Sequence, residues 1–320
     1  MNTIVTLLKR EYWENRGHFA ISPLVMGAFL IALFLLALFN TEHIVGTHGE
    51  SLGPISLSGI SISGLDYLGA FSVEFASLSL ERRSEIWEMS FYGISSSFTF
   101  IMILVSFIYL LGSLYDDRKD KSILFWKSLP VSDLMTVTSK IITVIFVIPA
   151  FFVIGSTLTF LLIMIISSLV ALFTNGNLWA SIWEPAPFIS APIKLYGAYV
   201  IQSLWAAPFL AWLLLVSSWT KRKPILMATI PVAAVSFMEF YYYRTSYFAD
   251  AVRERTMGWV IPVDITSGRH LGSNEPILDQ GGIYNNVTSL MALPGFWYGL
   301  VVAAAMVAGA VYIRRYRDES

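Results

Sequence analysis

Residues 141–173 read IITVIFVIPAFFVIGSTLTFLLIMIISSLVALF, a run without Asp, Glu, Lys, Arg or His. A bilayer hydrocarbon core of about 30 Å is crossed by about 20 apolar helical residues. The run exceeds one crossing, so it predicts a helix that tilts or projects beyond the membrane, bent near its start by Pro149. Five more runs accompany it: Ile21 to Phe39, Ser90 to Leu114, Tyr196 to Trp219, Ile225 to Phe240 and Phe296 to Ile313. Pro208 and Pro231 are candidate kinks in the fourth and fifth of the six, and the fifth spans fully only if Tyr241 to Tyr243 form an interfacial aromatic belt. Composition agrees: 56% of residues are hydrophobic and 13% charged, where soluble domains carry about 25% charged residues. Mean hydropathy is +0.65. The chain reads as an all-α integral membrane protein, one transmembrane domain over residues 1–320.

Basic residues set the orientation, because Lys and Arg collect in short cytoplasmic loops. Lys9, Arg10 and Arg16 precede the first run; Arg118, Lys119, Lys121, Lys127 and Lys140 follow the second; Lys221, Arg222 and Lys223 follow the fourth; Arg314, Arg315 and Arg317 follow the sixth. With six crossings all four clusters share one side, which predicts both termini in the cytoplasm and long outer loops at 40–89 and 244–294. The first run is too long for a signal-peptide core and lacks a small-residue cleavage site after Phe39, so it reads as a retained helix. Ahead of it, residues 2–17 place Ile4, Leu8 and Tyr12 on one helical face with Val5 and Trp13 alongside, the pattern of an interfacial helix. The alternative, that this segment simply starts the first span, would carry Arg10, Glu11, Glu14 and Arg16 toward hydrocarbon. With no cysteine, disulfides, thiolate nucleophiles and Cys-ligated metals are excluded.

None of the six runs has an Asp, Lys, Arg or His in its interior; Gln202 is the strongest polar group, and Glu239 sits near one end. Ion-coupled carriers need a charge or an oxygen cluster at mid-membrane. An energy source outside the chain is therefore expected. The chain itself has no Gly-x-x-x-x-Gly-Lys-[Ser/Thr] loop to cradle phosphates, so it is not itself expected to be an enzyme, and no catalytic residue is assigned.

Between the second and third runs lies YDDRKDKSILFWKSLPVSD, residues 115–133. Asp116, Asp117, Arg118, Lys119, Asp120 and Lys121 form a mixed-charge turn. Ser122 can cap a short helix from Ile123 to Leu129, which Pro130 closes, and Ser132 or Asp133 can cap the next helix leading through Lys140 into the third run. Ile123, Leu124, Phe125, Trp126 and Leu129 are a large apolar load for a connection between spans. Either they pack on the protein's own helix ends or the inner leaflet, or they fill a groove on a partner, with Phe125 and Trp126 as anchors and the flanking charges, Lys127 among them, fixing register.

Leu114 to Asp133 resembles the loop between the second and third helices of permease subunits of the ABC type-2 exporter family, and the outline of an interfacial helix, six spans and a long loop before the last span is similar. The resemblance implies that Asp116, Asp117, Arg118, Lys121, Ile123, Leu124, Phe125, Trp126, Lys127, Leu129, Pro130 and Asp133 form a coupling segment docking on a cytoplasmic ABC ATPase. It further implies a second permease copy, identical or related, with the export path between them. ATP and Mg would be held by the ATPase, with no cofactor in this chain, and the setting would be the bacterial inner (plasma) membrane. Expected partners are thus the ATPase, the second permease and lipid, not nucleic acid. The first outer loop is longer than in minimal family members.

The remaining segments say less. Residues 244–294 read as irregular with a short helix at Tyr247 to Met257, and Trp259 to Pro262 could dip toward the membrane or lie on the surface. His43 and His48 with Glu42 and Glu50 fit no strong zinc spacing, and no metal site is assigned. Glu81, Arg82, Arg83, Glu85 and Glu88 read as a solvated or interfacial helix resting Ile86, Trp87 and Met89 on the bilayer. A gradient-driven carrier and a non-transporting anchor or assembly subunit stay open beside the ATP-driven exporter.

Overall fold

The structure, a computed structural model, describes residues 3–39, 75, 78–120, 131–172, 182–257 and 290–316. Regular structure among them is helical, without strands. In chain order the helices are α1 (Thr3–Glu14), α2 (Ser22–Phe39), α3 (Leu80–Ser113), α4 (Tyr115–Lys119), α5 (Asp133–Ile142), α6 (Ile148–Ala171), α7 (Ser190–Trp205), α8 (Ala207–Trp219), α9 (Pro224–Tyr243), α10 (Tyr247–Met257) and α11 (Pro294–Tyr316). Among the described residues, five stretches are long and apolar enough to cross a membrane; α7 and α8 make a sixth only if taken as one crossing bent by 62°.

Prolines shape three of these stretches. A proline has no N–H for the carbonyl four residues back, and its ring crowds that carbonyl. Ahead of both Pro23 and Pro149 the helix widens into a π turn, at Gly17–Ile21 and Thr143–Val147, where Ser22 N–H reaches Gly17 O and Ile148 N–H reaches Thr143 O. Pro149 therefore acts through a widened turn rather than a break, and 133–169 stays one stretch of about 55 Å at 1.5 Å per residue. Pro208 is different. It is the second residue of α8, whose N-cap Ala206 sits at φ −80°, ψ 0°, and the expected kink becomes a break. Pro231 is carried inside α9, which extends through Tyr243.

The expected charged helix before the second span is not a separate element: residues 80–113 form one helix. Trp87, placed by sequence against lipid, packs edge-on against Phe75 and Phe160, at 6.1 and 5.9 Å between ring centres. The chain divides into two compact units, one of residues 23–95 and 154–192, the other of residues 1–22, 96–153 and 193–320. The first of these is built on the Trp87 cluster and on Phe91 against Phe160. Its polar ties include Arg83 to Glu184 at 3.6 Å and Trp183 Nε1 donating to Ser168 Oγ at 3.0 Å.

In the larger unit α8 lies against α11 through small side chains: Ala207, Ala211 and Ala303 are buried together, bordered by Leu300, Met306 and Val307. Small residues let helix axes approach closely, which is how apolar helices associate where water supplies no drive. By contrast α9 exposes Ile225, Ile230, Phe237 and Tyr241 to Tyr243. A helix apolar on every face and left uncovered is suited to lipid.

Candidate functional site

Four helices of the larger unit bring charged side chains to one buried point. On α5, Asp133 and Lys140 are seven residues apart and share a face with buried Thr136 and Val137. The helix starts where the sequence expected: Ser132 is extended and its Oγ accepts from Met135 N–H at 3.3 Å. On α1 the inward face is Leu7 and Glu11, one turn apart, with Arg10 beside them. From α4 comes Asp117, and from the last turn of α11 comes Arg314.

Lys140 Nζ lies 3.2 and 3.5 Å from the two carboxylate oxygens of Glu11, and 3.6 Å from Asp117 Oδ2. Arg314 Nη1 meets the same Asp117 oxygen at 3.4 Å while its Nε donates to Asp133 Oδ1 at 3.0 Å. Arg10 donates from Nη2 to Asp117 Oδ1 at 3.4 Å and from Nε to Glu14 at 2.8 Å. Tyr109 of α3 adds an O–H donated to Glu11 Oε2 at 2.7 Å. Glu11 is 1% exposed, Lys140 2% and Arg314 5%. Charges that deep are tolerated only when matched and hydrogen-bonded, and here each carboxylate faces at least one cation.

A second anchor lies beside it. Helix α3 ends at Ser113 and α4 begins two residues later, which leaves the N–H groups of Leu114 and Tyr115 without partners inside a helix. Ser217 of α8 supplies one: its Oγ accepts from both N–H groups at 3.0 Å and donates to Leu111 O at 2.8 Å. Arg118 then donates from Nη2 to the carbonyls of Ser217 and of Thr220, the latter at 2.9 Å, capping the C-terminus of α8 with a cation.

Of the residues predicted from sequence, Asp117, Arg118 and Asp133 thus take part in these two anchors. Asp116 packs over Gly112, where a Cβ would lie 2.6 Å from Asp116 Oδ2. Lys121, Ile123, Leu124, Phe125, Trp126, Lys127, Leu129 and Pro130 lie outside the described residues, as do His43, His48 and Trp259 to Pro262. Sequence reasoning missed Glu11, Tyr109 and Ser217, and counted Lys140 and Arg314 only as orienting charges. The seven-residue spacing of Asp133 and Lys140 was a signal; nothing in one sequence pairs them with Glu11, more than a hundred residues away.

Two other sequence-flagged groups are also placed. Gln202 is 6% exposed, and its Nε2 meets no hydrogen-bond partner among the described residues; one turn earlier, Tyr199 O–H is bonded to Thr99 of α3. Glu239 accepts from Thr245 Oγ1 at 3.0 Å and from Phe248 N–H at 2.8 Å, capping α10. The described residues contain no cluster of three or more His, Cys, Asp or Glu able to hold a metal ion. Comparison with protein-family models, with curated proteins and with solved structures finds no match for this chain.

Proposed function

We propose that this chain is the membrane-spanning subunit of an ATP-driven exporter of the ABC type-2 kind, coupled through residues 116–133 to a separate ATPase and working beside a second permease. Termini, buried charge network and coupling segment lie on the cytoplasmic side in this reading. The observation that carries it is the double anchorage of the coupling segment's flanks: Asp117 and Arg118 on one side, Asp133 on the other, tie into α1, α5, α8 and α11. A push on residues 121–130 then acts on several helices at once, as a bistable permease biased by nucleotide requires. ATP and Mg belong to the partner, and this chain contributes the moving part.

A gradient-driven carrier is the second reading, and the buried carboxylates Glu11 and Asp117 favour it. Against it, both are neutralised by Lys140, Arg10 and Arg314, and the cluster stands at helix ends rather than midway along a crossing.

Purification of the native complex in mild detergent, followed by identification of co-eluting proteins, tests the proposal. An ABC ATPase is expected with the parent chain and is expected to be lost from the Trp126→Ala, Leu129→Ala variant while membrane insertion is kept. Undiminished ATPase recovery with that variant, or gradient-driven transport by the chain alone in proteoliposomes, overturns it.

A further inference from the structure

The break between α7 and α8 leaves a backbone carbonyl exposed to any donor that can reach it. In an uninterrupted helix Trp205 O would accept from Phe209 N–H. Here Phe209 N–H goes to Ala206 O at 2.9 Å, and Pro208 has no N–H to offer. Arg255, near the end of α10, fills the vacancy: its Nη1 donates to Trp205 O at 2.8 Å and its Nη2 to Gly295 O, at the start of α11, at 2.7 Å. The guanidinium lies 4.5 Å from the Trp205 ring, and the Trp205 indole N–H donates back to Glu254 O at 3.4 Å.

Helix α11 is cut to receive this side chain. Gly295 and Gly299 are one turn apart; a Cβ on Gly299 would stand 2.3 Å from Arg255 Nη1, and one on Gly295 would meet the Trp205 ring at 3.7 Å. No carboxylate forms an ion pair with Arg255 among the described residues. Desolvation by its partial burial lowers its pKa, with Glu254 acting in the opposite sense.

We propose that Arg255 is a latch that holds the fourth crossing in its bent form, engaging a carbonyl that exists as a free acceptor only when α7 and α8 are broken apart at Ala206. If the crossing straightens, Phe209 N–H reclaims Trp205 O and Arg255 loses that site, so the residue binds one of two states and shifts the balance toward it. The other end of α10 is held by Glu239, which leaves Arg255 as the releasable end. This inference does not depend on the exporter reading and needs no energising partner.

The chain has no cysteine, so the double variant Ile193→Cys, Trp219→Cys carries spin labels at those two exposed positions alone. Each arm from Ala206 is about 20 Å, so a 62° bend puts the ends about 33 Å apart and a straight crossing about 39 Å. In the full-length protein in detergent or nanodiscs, the parent should give the shorter distance. Arg255→Gln, and independently Gly299→Ala, which keeps the arginine but fills its seat, should each move population toward the longer one; Arg253→Gln, an exposed neighbour paired with Asp250, should not. Both variants eluting as the parent does, with the shorter distance unchanged, overturns the proposal, as does an equal shift from Arg253→Gln.

Discussion

Replacing Lys140 by Met removes the cation between Glu11 and Asp117 while keeping most of the side-chain volume. Asp117 retains Arg10 and Arg314, at 3.4 Å each, but Glu11, at 1% exposure, is left with the Tyr109 hydroxyl alone among the described residues. Breaking a buried pair from one side costs about 3–5 kcal/mol, because the remaining charge stays desolvated without compensation. At about 2 °C per kcal/mol for a chain of this size, the melting midpoint should fall by about 6–10 °C. Intrinsic tryptophan fluorescence in detergent reads it, since the chain has 10 tryptophans. Neutralising the orphaned carboxylate should recover much of the loss: Glu11→Gln with Lys140→Met should be more stable than the sum of the singles by about 1–3 kcal/mol, because the amide still accepts from Tyr109. A Lys140→Met midpoint within about 1 °C of the parent, or strict additivity in the double variant, would refute the network as a buried, coupled unit.

Ser217→Ala strands the N–H groups of Leu114 and Tyr115 in a buried setting, which should cost about 1–3 kcal/mol in the same melting assay; an unchanged midpoint would mean that those groups find another acceptor. Gln202→Met should act in the opposite direction, raising the midpoint, because it removes a buried amide donor that has no partner among the described residues and would relieve about 1–3 kcal/mol. A fall of similar size would show that the amide is engaged in the folded protein.

Helix identity followed from local pattern, because a crossing must satisfy its own backbone groups and carry an apolar surface, and both requirements are written residue by residue. Residues 141–173 needed no partner to be read, and the helix at Tyr247–Met257 and the Ser132 cap stand where the sequence put them. Prolines were legible only in part. Pro149 and Pro208 were both flagged as bends, yet one sits after a π turn and the other at a break, a difference that the local sequence does not carry. At the break, Arg255 from α10 donates to Trp205 O.

The charged island illustrates the division most clearly. Its composition marked residues 115–133 as unlike the runs on either side, but the local sequence does not say that Asp117 and Arg118 turn inward. Glu11 looked costly because a lone carboxylate beside a membrane is costly. In the folded chain it is matched by Lys140, with Tyr109 completing its shell. What the sequence by itself determined was the helical, membrane-compatible class, its prolines and its caps, all set by interactions spanning a few residues. What only the tertiary structure decided was which charges cancel, which carbonyl Arg255 takes and where α7 gives way to α8, because pairing across tens to more than a hundred residues is fixed by packing geometry, not by local propensity.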